Sequence, residues 1–133
     1  MYLKTEQDIM QNWQGDKTKP VVSVLTLTYN HENYIAEAVD SFLMQETNFP
    51  FEIVIGEDCS SDGTRIIIEE YVANYPNIIK LVVSEDNVGM TKNFERTLSH
   101  CRGEYIALCD GDDYWTNEKK LQIQIDEMKK YPD

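Results

Sequence analysis

Positive charge is what this chain has least of. Lys and Arg number 12 against 24 Asp and Glu, a formal net charge of −12. Binding that runs on many phosphate contacts needs the opposite balance, which sets nucleic acid aside as a partner. An anionic ligand of another kind would have to be held by backbone amides or a bound cation. Cysteine is scarce too: Cys59, Cys101 and Cys109 are odd in number and form no CxxC pair. They provide neither a disulfide framework nor a zinc-ligand spacing, which fits a reduced, cytoplasmic setting. His31 and His100 stand apart from any metal-binding pattern and read as loop or surface histidines. No apolar run approaches the ~20 residues that a membrane crossing needs, and the N-terminus lacks the order of a signal peptide. Membrane association is expected only through parts of a longer gene product. Neither a GxxxxGK[ST] loop nor a GxGxxG turn nor a GxSxG elbow occurs, which removes the usual P-loop, dinucleotide and hydrolase signatures.

What is present is alternation. The 133 residues are 41% hydrophobic, enough for one domain with a core. The β-branched run VVSVLTLT, residues 21–28, reads as a buried strand. Ile35, Ala38, Val39, Phe42 and Leu43 then recur at helical spacing, with Asn33 as the expected N-cap. A second strand is expected over residues 51–55 and a helix over 64–74 that buries Ile67, Ile68, Tyr71 and Val72. A third strand, 79–84, leads to a helix over 90–101 with Phe94, Leu98 and Cys101 inward. The last strand, 105–109, precedes a helix over 118–130 that presents Leu121, Ile125 and Met128 to the core. Strands separated by helices imply crossover connections, hence an α/β fold with an open, mostly parallel sheet flanked by helices. Residues 1–19 form a lead segment whose Ile9, Met10 and Trp13 predict a short helix; residues 20–133 form the main domain.

In such sheets ligands bind at the carboxyl ends of the strands. Two of the segments found there are strongly acidic: Glu57-Asp58 after the second strand and Asp110-Gly111-Asp112-Asp113 after the fourth. The pair Asp110 and Asp112, separated by a glycine that lets the backbone turn, offers hard oxygen donors suited to Mg²⁺ or Mn²⁺, which can bridge the phosphates of a nucleotide. Acidic residues are equally at home in turns and at helix starts, so this motif alone does not decide the matter. Glu57 and Asp58 could accept hydrogen bonds from ribose hydroxyls or from the imide N–H of a pyrimidine, or serve only the turn. Thr28-Tyr29-Asn30 supplies hydroxyls and a ring that could stack on a base. Asn87-Val88-Gly89 fits an ordinary turn as well as a ligand loop. Tyr114 and Trp115 could line a sugar site or pack beneath the acidic turn.

Several of these stretches occur in an order that resembles the N-terminal half of family 2 glycosyltransferases of the GT-A fold, a Rossmann-like nucleotide-binding architecture. "VSVLTLTYNHENYIAEAVDSFLMQ" is similar to the opening strand, Thr-Tyr-Asn loop and first helix of that family. "FEIVIGEDCSSDGT" resembles its acidic second-strand motif, and "NVG" with "KNFERTLSHCRGEYIALCDGDDYW" its approach to the metal-binding DxD segment. "DIMQNWQGDKTKP" and "CDGDDYW" are most similar to enzymes that build bacterial surface polysaccharides. The resemblance implies that Thr28 and Tyr29 contact the nucleotide, that Asp58, preceded by Glu57, binds the base, and that Asp110 contacts the ribose or the metal-bound nucleotide. It further implies that Asp112 coordinates Mg²⁺ or Mn²⁺ together with Asp110. Leu27, Glu57 and Cys59 depart from the proline, aspartate and glycine usual at those positions. The implied partners are a nucleotide-diphosphate sugar, UDP-sugar favoured, and a glycan or lipid-linked acceptor. The acceptor site and general base of the family follow the DxD strand, so this chain is expected to be a donor-binding half, and no catalytic base is assigned within it. Its uncovered face makes homo-oligomers an open expectation.

Two other classes stay in view. A response-regulator-like switch also gathers carboxylates around Mg²⁺, but it wants the acidic pair after the first strand, where Thr28-Tyr29-Asn30 stands. A non-catalytic nucleotide-binding or protein-interaction module would keep the fold without transfer.

Overall fold

A computed structural model describes residues 4–131 of the chain. The elements run α1 (Glu6–Met10), β1 (Val22–Thr28), α2 (Ile35–Leu43), β2 (Phe51–Glu57), α3 (Thr64–Asn74), β3 (Ile79–Val83), α4 (Met90–Leu98), β4 (Tyr105–Leu108) and α5 (Lys120–Lys130). All four strands are parallel, in the order β3-β2-β1-β4, so the sheet is open and flanked by helices as the alternation requires. Among the described residues no helix is long and apolar enough to cross a membrane.

Side chains alternate across a strand, and the two faces of this sheet have different chemistry. On one face Val22, Val24, Phe51, Ile53, Ile55 and Ile79 are buried beneath Ile35, Ala38, Val39 and Phe42 of α2, Ile68 of α3 and Leu121 and Ile125 of α5. Each of these larger side chains contributes about 1.5–3 kcal/mol by leaving water. The lead segment joins the same core. Thr5 and Asp8 close a capping box over α1, Ile9 and Trp13 are buried, and the Trp13 ring meets Phe51 edge-on at 5.5 Å.

The opposite face is covered by α4, and here the structure corrects the expected helix face. Phe94 is half-buried and Leu98 is 39% exposed, whereas the buried side chains of α4 are Asn93 and Thr97. The cause is Gly56 of β2, which leaves no side chain in the path of the helix. The helix approaches so closely that a Cβ at residue 56 would overlap the Thr97 hydroxyl and lie 2.9 Å from Asn93 Oδ1. Asn93 Nδ2 donates to the Gly56 carbonyl at 3.0 Å, and Arg96 Nη2 donates to the Glu57 carbonyl at 2.8 Å. Helix and strand are thus joined by polar bonds to backbone rather than by an apolar stripe.

Smaller corrections concern helix ends. Asn33 does not cap α2; the cap position is Tyr34, without a side-chain bond, and the His31 carbonyl accepts from the N–H groups of Tyr34 and Ile35. Met128 is 49% exposed in the last turns of α5, at the wall of an open groove between that helix and β4, while Leu121 and Ile125 are buried as expected. On α3 Ile68 is buried as expected and Thr64 is buried with it, while Ile67, Tyr71 and Val72 are only half-buried against the same core.

Gly56→Ala should push α4 away from the sheet and cost roughly 1–3 kcal/mol, as overpacked cores do. Urea unfolding should show the loss, and adding Thr97→Ala should recover part of it because the two changes share one contact.

Candidate active site

β1 is the hub of the strand ends. The Asp58 N–H donates to the Thr28 carbonyl at 3.1 Å from one side, and the Gly111 N–H donates to the Leu27 carbonyl at 3.0 Å from the other. The hydrogen-bonded ladder therefore runs past the strands proper and draws Asp58 and the Asp110-Gly111-Asp112 turn to either flank of Thr28. Gly111 serves this approach rather than a left-handed turn: a Cβ there would stand 2.7 Å from Thr28 Oγ1 and 2.9 Å from His31 Nδ1.

The loops after β1 and β2 are stitched together. Asn30, at φ 54°, donates its N–H to the Ser60 hydroxyl oxygen at 2.9 Å and accepts the Ser61 N–H on its Oδ1 at 2.9 Å. Glu32 and Asp62 exchange bonds with each other's segments, and the His31 N–H donates to Thr64 Oγ1 at 2.9 Å. Burial acts to raise the Asp62 carboxyl, but bonds from the Thr64 hydroxyl and N–H and from the Glu32 N–H prevail and hold it below the usual range. Cys59, where the resemblance expects glycine, adopts φ 60°, so the left-handed backbone is present with a cysteine in it.

The two carboxylates ending β2 face different tasks. Glu57 is 1% exposed and its Oε1 accepts the Ser60 N–H at 2.8 Å, which places it inside the turn. Asp58 is 4% exposed; Oδ1 accepts the Val88 N–H at 2.7 Å and Oδ2 the Gly89 N–H at 3.0 Å. Asn87 closes the same loop by donating to the Asp58 carbonyl at 3.1 Å. Asp58 therefore holds the loop leading into α4, and each of its oxygens keeps a lone pair for a further donor.

Thr28, Tyr29, His31, Asp58, Asp110 and Asp112 meet around one cleft of about 420 Å³, together with Leu27, Asn87, Gly89, Met90 and Asn93. Thr28 is buried, Tyr29 is 45% exposed, and Asp110 and Asp112 are exposed. Beneath the acidic turn the Cys109 thiol is pushed up to about 11 by burial, reinforced by Asp113 and Asp110, and so stays protonated. Asp113 spends Oδ1 on the Tyr114 N–H and is not among the cleft-lining residues. Trp115 packs under the turn, edge-on to Phe42 at 4.8 Å with Lys120 Nζ 5.4 Å from its ring centre. With Tyr114 it borders a separate cleft of about 220 Å³.

Among the described residues no three His, Cys, Asp or Glu side chains converge into a ready-made metal cage. The donor set that is present, two exposed carboxylates on one turn, suits a hard cation that keeps waters and takes its remaining ligands from a substrate. Sequence reasoning had set His31 aside as a loop or surface histidine and Asn93 as an unremarked position on α4. A lone histidine and a polar residue on a helix carry no spacing signal that would have picked them out.

Residues 23–133 match the model of glycosyl transferase family 2, and the chain belongs to that family. The putative teichuronic acid biosynthesis glycosyltransferase TuaG of Bacillus subtilis is 38% identical over 119 residues, 90% of this chain and 44% of its own. The Staphylococcus aureus TarS 1–349 structure superimposes with a TM-score of 0.72 at 33% identity over 83% of this chain and 32% of its own, and TarS has been solved with UDP-GlcNAc. The mannosyltransferase PcManGT of Pyrobaculum calidifontis, solved with GDP-Man and Mn²⁺, has a TM-score of 0.73 at 25% identity over the same shares. The chain spans 32% of the length of mycobacterial relatives that are 45% identical to it.

Asp58→Asn should loosen the loop that precedes α4, since an amide can accept at only one of the two N–H groups. Hydrogen exchange at Val88 and Gly89 should quicken at least about tenfold, with a stability loss of roughly 1–3 kcal/mol in denaturant.

Proposed function

We propose that this chain is the donor-binding half of a metal-dependent glycosyltransferase that moves a sugar from a nucleotide-diphosphate donor, UDP-sugar favoured, to a glycan or lipid-linked acceptor. The supporting observation is that Thr28, Tyr29, Asp58, Asp110 and Asp112, drawn from three separate strand ends, border one cleft. The sugar nucleotides bound by TarS and PcManGT favour the same ligand class, and PcManGT's Mn²⁺ favours a divalent cation.

In this reading the Asp58 carboxylate accepts the imide N–H of a pyrimidine with the lone pairs left over from Val88 and Gly89. The Tyr29 ring stacks on the base, and the Thr28 hydroxyl orients the nucleotide. Glu57 shapes the loop from inside. Asp110 and Asp112 hold Mg²⁺ or Mn²⁺, which when bound supplies Lewis-acid stabilisation to a departing diphosphate. An acceptor hydroxyl then attacks the anomeric carbon after losing its proton to a general base. That base lies outside the residues assigned here.

A thermal-shift titration with UDP tests the reading. Mn²⁺ or Mg²⁺ should be required for a UDP-dependent rise in melting temperature, with about 2.7 kcal/mol of stabilisation at a hundredfold excess over Kd. Asp112→Asn should weaken metal-dependent UDP binding roughly tenfold or more, about 1.4 kcal/mol, while its melting temperature without ligand stays near the parent's. Equal stabilisation with and without metal would overturn the assignment.

A further inference from the structure

We infer that His31 is a positioning residue for the donor site, clamping Thr28 and Asp112 so that the Asp112 carboxylate is held at the cleft. The inference rests on the donor-site reading above and adds a residue to it. The ring's origin is fixed on all sides. The His31 N–H donates to the Thr64 hydroxyl at the start of α3, and its carbonyl accepts from the N–H groups of Tyr34, at the cap of α2, and of Ile35, its first residue. The imidazole stands edge-on to Tyr34, 6.4 Å between centres at 75°, with only 23% of the side chain exposed.

From that anchor the ring spans two functional loops. Nδ1 lies 2.9 Å from Thr28 Oγ1, and Nε2 lies 3.9 Å from Asp112 Oδ2. A carboxylate only accepts, so the tautomer that suits both neighbours has its proton on Nε2, facing Asp112, and accepts from the Thr28 hydroxyl at Nδ1. The backbone of the acidic turn rests on the same pair, because Gly111 leaves no room for a Cβ against Thr28 Oγ1 and His31 Nδ1. Among the described residues no other side chain or N–H is hydrogen-bonded or ion-paired to the Asp112 carboxylate, whose side chain is 56% exposed. Removing the ring leaves that carboxylate without its one neighbour and leaves a void beneath the turn that carries it. Groups that orient a metal-binding carboxylate typically change metal affinity by about 10–100-fold when removed.

Three variants separate positioning from mere packing. His31→Gln places an amide nitrogen near where Nε2 sits and keeps the reach to Asp112. His31→Asn mimics Nδ1, preserving the Thr28 contact but falling short of Asp112. His31→Ala removes both. The measurement is Mn²⁺ affinity in saturating UDP by calorimetry, beside the ligand-free melting temperature of each variant.

The expected result is His31→Gln within about threefold of the parent and His31→Asn and His31→Ala weakened by about tenfold or more, with His31→Asn melting close to His31→Gln. Should His31→Asn bind Mn²⁺ as well as His31→Gln, or should affinity fall only in step with melting temperature across the variants, the positioning role is refuted while the donor reading stands. A parent chain with no Mn²⁺-dependent UDP binding would overturn both.

Discussion

Glu57, Asp58, Asp110 and Asp112 crowd the carboxyl ends of two parallel strands, β2 and β4, that flank β1 in a chain whose formal charge is already −12, so the fold has to take up their mutual repulsion. How each is taken up differs along the sheet. At the opposite end, buried Glu52 is met by Lys80 and Arg102 at 3.5 and 3.6 Å, with the Ser23 hydroxyl and the Arg102 N–H completing its shell. That carboxylate is structural and fully satisfied. At the site end, Glu57 and Asp58 are satisfied by backbone N–H groups, so their charge is spent on holding loops. Asp110 and Asp112 receive neither lysine nor arginine among the described residues. Of these four they are the exposed ones, with no backbone N–H spent on them.

The arrangement also explains why α4 has a polar buried face. Asp58 accepts the N–H groups of Val88 and Gly89, immediately before the first turn of α4, and so acts on that helix as a carboxylate placed at its positive end. For this to work the helix must be held in one register against β2. An apolar stripe on a flat sheet would tolerate sliding; Asn93 to the Gly56 carbonyl and Arg96 to the Glu57 carbonyl do not. Polar bonds to backbone thus fix the helix, and the helix fixes the loop that borders the cleft.

This is also where sequence reasoning stopped short. Strand and helix order was legible because period-2 and period-3.6 apolar patterns report burial directly, and the acidic turn was legible because carboxylates after a buried strand are conspicuous. The inward face of α4 was not, since a buried Asn and Thr look like solvent-facing residues until Gly56 is known to lie opposite them. Asn33 looked like a cap because local side-chain chemistry favours it, but the loop after β1 is committed to the loop after β2, and its start of α2 is set by the His31 carbonyl. Of the residues singled out by motif and position, Thr28, Tyr29, Asp58, Asp110 and Asp112 line the cleft and Glu57 does not, being taken into the turn by Ser60; His31 carries no such signal, because its contacts are to two partners, 3 and 81 positions away, that only the folded chain brings to one ring.

Cleft size would not have located the site either. A groove of about 370 Å³ between β4 and α5 approaches the 420 Å³ of the strand-end cleft, yet its walls are mainly Val22, Ile106, Leu121, Ile125 and Met128. It offers shape without convergent polar groups, whereas the strand-end cleft joins three carboxylates, a hydroxyl, an imidazole and an exposed tyrosine ring at the place where three loops meet. What distinguishes the second is that its loops are bonded to one another. The Asp58 N–H reaches the Thr28 carbonyl, the Gly111 N–H the Leu27 carbonyl and the His31 N–H the Thr64 hydroxyl. The loops that carry these groups are thus tied to one another before any ligand arrives, so less ordering is left for a ligand to impose.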